Sequence, residues 1–74
     1  MPINVFLVDD SATVRAVMKM LLEKDPDICV IGVAATADIA LKKMSKQWPD
    51  VIVSDFRLLI IYYGIVSYRF TAFI

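Results

Sequence analysis

The chain has no histidine and a single cysteine among its 74 residues. Without histidine, and with the cysteine inside an apolar run, zinc and other metals that need soft ligands are poor candidates for a site. Cys29 alone cannot form an internal disulfide, which fits a reducing compartment. Lys plus Arg and Asp plus Glu number eight each, so no basic field draws the chain to nucleic acid or to an anionic membrane.

Signals for export and for membrane insertion are also missing. The first residues, Met-Pro-Ile-Asn, contain neither a basic leader nor a small-residue cleavage site, so we predict a cytoplasmic location. A spanning helix needs about 20 apolar residues. The apolar stretch 58–68 has only eleven residues before Arg69, so we expect no membrane anchor.

Three apolar runs alternate with two amphipathic segments, which is the pattern of a parallel α/β sheet. The runs 3–8, 28–34 and 51–54 are short and nearly all apolar, as in strands covered on both faces. A first helix is predicted to begin after the N-cap residue Ser11 and to end before the turn at 25–27. A second is predicted from about 37 to 47, because Pro49 disfavours helical geometry in the residue before it.

Helical spacing predicts one buried face on each helix. We expect Cys29 to pack inside the second strand and Arg15 to lie on the solvated surface. Three lysines of the second helix, Lys42, Lys43 and Lys46, are expected to face water. The predicted buried faces consist of Val14, Val17, Met18, Leu21 and Leu22 on the first helix, and Ala37, Ala40, Leu41, Met44 and Trp48 on the second.

Three aspartates follow the predicted strands: Asp9 and Asp10 end the first, and Asp55 ends the third. The carboxyl ends of parallel strands share one edge of the sheet, where open α/β sheets bind ligands. Since neighbouring strands lie about 4.8 Å apart, the order 2-1-3 brings all three together, whereas 1-2-3 separates them by about twice that distance. Close carboxylates repel unless neutralised, and Mg²⁺ prefers oxygen ligands. Alternatively, these residues only cap helices and form turns.

The stretch from residue 3 to about 58 resembles the first half of a response-regulator receiver domain, in particular that of the chemotaxis protein-glutamate methylesterases. The likeness is carried by "VDDS", "DPDICVIG" and "PDVIVSD" in register. It implies a flavodoxin-like fold and two-component signalling. Asp55 would accept phosphate from a histidine kinase, Asp9 and Asp10 would hold Mg²⁺, and the main-chain carbonyl of Arg57 would be a further ligand. The catalytic domain of a methylesterase is not in these residues, so we predict no enzymatic activity.

The resemblance stops near Leu58, so we divide the chain into a partial receiver domain, 1–58, and an apolar tail, 59–74. The family's hydroxyl residue after the fourth strand and lysine after the fifth have no counterpart in matching context. We therefore expect truncation to impair phosphotransfer. Besides a membrane anchor, we consider two interpretations of the tail. It is the product of a lost reading frame near Leu59, or it is a genuine segment that completes the sheet.

The tail has two competing patterns. Residues 66–73 alternate as in a half-covered strand, whereas 58–65 also fit one face of a helix. We expect an exposed edge on the third strand, and such edges recruit partners, so we predict homo-oligomers formed through this edge and the tail. The alternative function is a small non-catalytic protein in which the aspartates only cap helices and the tail drives assembly.

Overall fold

The computed structural model describes residues 2–54 and 71–73 of the chain. These residues form one parallel sheet in the order β2-β1-β3-β4, with two helices between the first three strands. The order 2-1-3 and the two helices of the flavodoxin-like fold are confirmed. The elements are β1 (Ile3–Val8), α1 (Ala12–Leu22), β2 (Ile28–Ala34), α2 (Ala37–Met44), β3 (Val51–Ser54) and β4 (Thr71–Phe73).

The central strand β1 is the most buried element of the sheet. Its last four residues, Val5 to Val8, are at most 3% exposed, because strands flank β1 on both sides. By contrast, β2 lies at the edge of the sheet and is mostly half-buried. The prediction that Cys29 is buried was wrong: it lies exposed in this edge strand. An apolar run predicts a strand, but it does not tell which strand is outermost.

One face of the sheet packs against α2, and this contact forms the main core. Its buried residues come from three strands and the helix: Phe6, Val8, Ala34, Ala37, Ala40, Met44 and Ile52, with Leu41 and Ile31 packed against them. The predicted core positions within α2 are thus confirmed. Trp48 was wrongly placed among them, since its side chain is 55% exposed. The helix ends at Met44, so the helical spacing does not continue to residue 48.

The other face of the sheet carries α1, which contacts β1 and β2. Right-handed crossovers place α1 and α2 on opposite faces, because the chain moves from β1 to β2 and then back past β1 to β3. No residue of α1 is fully buried. Met18 and Leu22 are half-buried, whereas Val14, Val17 and Leu21 are 38%, 44% and 50% exposed. The predicted apolar face exists, but about half of it faces solvent.

β4 pairs with β3 in parallel, with Thr71 opposite Ile52 and Phe73 opposite Ser54. The expectation of an exposed edge on the third strand was therefore wrong over 52–54, where residues of the same chain cover it. The question of helix or strand over 58–65 falls outside the described residues. Within the described part of the chain, no helix has the length and apolar character needed to cross a membrane.

Candidate acidic site at the carboxyl edge of the sheet

The candidate site lies where β1 and β3 end. Val8 and Ser54 are register partners in these parallel strands, and both are fully buried. Asp9 follows Val8 in the sequence, and Asp55 follows Ser54. Asp55 and Arg57 are outside the described residues. The geometry given below is therefore that of Asp9, Asp10 and their described neighbours.

Asp9 extends the pairing of β1 by one residue and orients the turn into α1. Its N–H donates to the carbonyl oxygen of Ala34 at 3.0 Å. Its carboxylate Oδ1 accepts a hydrogen bond from the N–H of Ser11 at 2.9 Å. The side chain is half-buried, and its Oδ2 has no hydrogen bond to another described residue. One oxygen therefore holds the turn, while the other is available for a ligand.

Ser11 caps α1, as the sequence predicts. Its Oγ accepts a hydrogen bond from the N–H of Val14 at 3.2 Å, and its backbone is extended, with φ −94° and ψ 117°. This geometry satisfies a free amide of the first turn. Asp10 is exposed and makes no hydrogen bond to the described residues through its carboxylate. The cap thus belongs to Ser11, and capping does not account for the carboxylate of Asp10.

Arg15 contacts the site, which the sequence analysis missed. Its Nη1 donates to the main-chain oxygen of Asp9 at 2.7 Å, and the residue is half-buried. The prediction of a solvated surface residue was wrong. Helical side chains lean toward the N-terminus, so an arginine one turn into α1 reaches back to the end of β1. A usable signal was its spacing, since Arg15 shares the sheet-facing side of α1 with Met18 and Leu22.

The carboxylates of Asp9 and Asp10 fit a hard divalent cation. Both supply oxygen ligands at one edge, and Mg²⁺ needs only one or two carboxylates because it keeps several waters. Among residues 2–54 and 71–73 no three His, Cys, Asp or Glu side chains form a group that could hold a metal ion. The predicted trio of Asp9, Asp10 and Asp55 extends beyond those residues and stays a prediction.

The chain matches the family model for the response regulator receiver domain over residues 5–62. It is 60% identical over 53 residues to protein-glutamate methylesterase/protein-glutamine glutaminase 2 of Hahella chejuensis, covering 72% of this chain and 14% of that protein. It is 48% identical over 56 residues to methylesterase/glutaminase 3 of Leptospira interrogans, covering 76% of this chain and 16% of that protein. The chain therefore spans about one-seventh of the length of these relatives.

Two solved structures share the fold. The response regulator domain of Thermotoga maritima CheB superposes with a TM-score of 0.71 at 40% identity, over 74% of this chain and 41% of that one. The crystal structure of the P1 domain of CheA3 with CheY6 from R. sphaeroides gives a TM-score of 0.80 at 26% identity, over 97% of this chain and 62% of that one. These matches agree with the parallel order in which β1 and β3 are neighbours.

Proposed function

Because the chain belongs to the response regulator receiver family, we propose that it acts as a phosphoacceptor in two-component signalling, with Asp55 receiving a phosphoryl group from a histidine kinase. One observation carries the proposal: Val8 and Ser54 are paired in register, and each immediately precedes an aspartate. A trans peptide advances the chain by 3.80 Å per residue. Connectivity alone thus limits how far Asp55 can lie from the acidic pair.

The reaction is a phosphoryl transfer between two protein side chains. A carboxylate oxygen of Asp55 attacks phosphorus, forming the acyl phosphate as the bond from phosphorus to the kinase histidine breaks. We propose that Asp9, Asp10 and Asp55, with the main-chain carbonyl of Arg57, hold Mg²⁺. When bound, this ion offsets the negative charge on the phosphoryl oxygens. The bond from Ser11 to Asp9 Oδ1 fixes that carboxylate in advance, and Arg15 fixes the backbone beneath it.

The proposed partner and cellular role are supported by the similarity to receiver domains of chemotaxis proteins. The R. sphaeroides structure contains the P1 domain of CheA3 in complex with CheY6, which supports a kinase phosphotransfer domain as the partner of this chain. The curated relatives are named for a methylesterase and glutaminase activity. This chain matches only about one-seventh of their length, within the receiver domain, so we propose for it the signalling role in chemotaxis. The exposed, unpaired thiol of Cys29 fits a cytoplasmic location.

The test is chemical phosphorylation. The chain is incubated with acetyl phosphate and Mg²⁺, and its intact mass is measured. We expect a mass increase of one phosphoryl group that is lost in Asp55→Asn and retained in Asp27→Asn, a matched control at an exposed turn. Asp10→Asn or a chelator should reduce the adduct. An adduct of equal size in Asp55→Asn would refute the proposal.

A second candidate, self-assembly, is favoured by the apolar stripe of Val14, Val17 and Leu21 on α1, which is 38% to 50% exposed. Exposed apolar patches favour association. Sedimentation equilibrium at tens of micromolar distinguishes the two functions, since assembly predicts oligomers that do not depend on Mg²⁺ or acetyl phosphate. A monodisperse monomer would exclude this candidate.

A further inference from the structure

A cleft of about 430 Å³ lies between the end of α2 and the edge strand β2. None of the described residues of the acidic site, Asp9, Asp10 and Arg15, lines it. Its floor consists of Phe6, Ile31 and Gly32, and its rim carries three lysines of the α2 region, Lys42, Lys43 and Lys46. We refer to it as the lysine cleft. Its volume is within the range of about 300 to 1,000 Å³ that is typical of small-molecule sites.

The floor of the cleft is apolar, and the ring of Phe6 packs against the backbone of Gly32 there. A Cβ at Gly32 would lie 2.5 Å from Cε2 of Phe6 and 3.0 Å from its Cδ2. The ring therefore occupies space that any other residue at position 32 would fill. Ile31, which is half-buried, borders the same floor. A ligand in the cleft would contact hydrocarbon on this side.

The rim is positively charged. Of the three ammonium groups, only that of Lys43 makes a hydrogen bond to another described residue, donating to the carbonyl oxygen of Val33 at 3.0 Å. Lys42 lies in the last turn of α2 and Lys46 in the turn that follows it, and both border the same cleft. No acidic residue is among the described residues of the lining. The cleft thus has a positive charge that its own wall does not neutralise.

Lysines near the end of a helix have a simpler explanation, since cations favour the negative end of the helix dipole. That explanation accounts for the charges of Lys42 and Lys43, which lie in the last turn of α2. It does not account for an apolar cavity beneath them. A neutral apolar ligand would leave the ammonium groups unused, and a small inorganic anion would leave the floor uncovered.

We propose that the lysine cleft binds a small amphipathic anion, which is a molecule with an apolar body and one carboxylate, sulfonate or phosphate group. The apolar body lies on Ile31 and Gly32, with the buried ring of Phe6 beneath them. The anionic group accepts charge-assisted hydrogen bonds from Lys42 and Lys46. This site is separate from the acidic edge and does not depend on phosphorylation of Asp55.

The test uses two dyes of nearly equal shape. The first, 8-anilinonaphthalene-1-sulfonate, is an amphipathic anion, and the second, N-phenyl-1-naphthylamine, is its neutral counterpart without the sulfonate. Each is titrated into the ¹⁵N-labelled full chain, and amide shifts are followed by NMR. We expect saturable shifts at Gly32, Ile31 and Lys46 with the sulfonate, and weaker binding of the neutral dye.

Two double variants remove equal charge. Lys42→Gln with Lys46→Gln changes the rim, whereas Lys19→Gln with Lys24→Gln changes exposed lysines outside the cleft. We expect the rim variant to raise the Kd of the sulfonate about five- to tenfold, since each exposed ion pair contributes a factor of a few. The control should leave the Kd nearly unchanged.

Three results would overturn the proposal. One is the absence of saturable binding up to the solubility limit of the dye. Another is equal Kd values in the rim and control variants. The third is a set of shifts centred on Val14, Val17 and Leu21, which would assign dye binding to the exposed stripe of α1 instead. Both double variants alter only exposed lysines, so we expect both to remain folded.

Discussion

The contact of α2 with the sheet predicts a large difference between two identical substitutions. Met44 is 0% exposed in the core on α2, whereas Met20 is 59% exposed on α1. Replacing Met with Ala removes three heavy atoms beyond Cβ, which is worth about 2.4 kcal/mol of transfer free energy when the side chain is fully buried. The residual cavity brings the cost at Met44 to about 2 to 5 kcal/mol. The same change at Met20 should cost about 1 kcal/mol or less, because most of its side chain is already in water.

This difference is large relative to the whole free energy of unfolding, which for 74 residues is about 4 to 11 kcal/mol. Both positions are helical, so the small gain in helix propensity is the same in both variants. Urea unfolding is followed by circular dichroism, with a slope of about 1 kcal/mol per M. We expect Met44→Ala to lower the midpoint by about 2 M or more, and Met20→Ala by less than about 1 M. Equal midpoints would refute the core described for α2.

Three further predictions concern stability and use the same assay. Ser11→Ala should cost about 1 kcal/mol by removing the cap to Val14; an unchanged midpoint would contradict the cap. Gly32→Ala should destabilise the chain by about 1 to 2 kcal/mol, because crowding of the Phe6 ring outweighs the entropic gain of about 0.4 to 1 kcal/mol; increased stability would show that the ring moves aside freely. Arg15→Gln should lower the free energy of unfolding by about 1 kcal/mol, because it removes the hydrogen bond to the main-chain oxygen of Asp9, whereas Lys19→Gln should change it by no more than about 0.5 kcal/mol. Equal losses in the two variants would show that this hydrogen bond does not stabilise the fold.

Much of the sheet was predictable because it depends on patterns that can be read along the sequence. Four consecutive apolar residues before two aspartates gave the central strand and its buried end, and Ser11 gave the start of α1. The requirement that acidic residues share an edge selected the order 2-1-3, which the structure has. Each of these features depends on residues that are close in sequence or on a simple geometric rule.

The wrong predictions concern how deeply individual side chains are buried and which groups they contact. Cys29 and Trp48 were predicted to be buried because both lie in apolar segments, but one is in an edge strand and the other follows the end of a helix. Arg15 was missed because its partner is a main-chain carbonyl, which leaves no trace in the sequence. Periodicity identifies the apolar face of α1, but only the arrangement of the whole chain decides how much of that face is covered.

The lysine cleft was equally inaccessible to sequence reasoning. Lys42, Lys43 and Lys46 were predicted to face water, and they do. The prediction could not include the cleft beneath them, because it requires Gly32 of one strand and Phe6 of the next to meet in register. Chain topology, and not local composition, creates that site.

We propose that Asp9, Asp10 and Asp55 bind one divalent cation at the same edge of the sheet. Paramagnetic Mn²⁺, which like Mg²⁺ prefers oxygen ligands, is titrated into the ¹⁵N-labelled chain at substoichiometric amounts. We predict that the amide signals of all three broaden together, that those of Asp27 and Asp50, which lie at the opposite edge of the sheet, stay sharp, and that excess Mg²⁺ reverses the effect. Broadening at Asp9 and Asp10 with a sharp signal for Asp55 would contradict the claim.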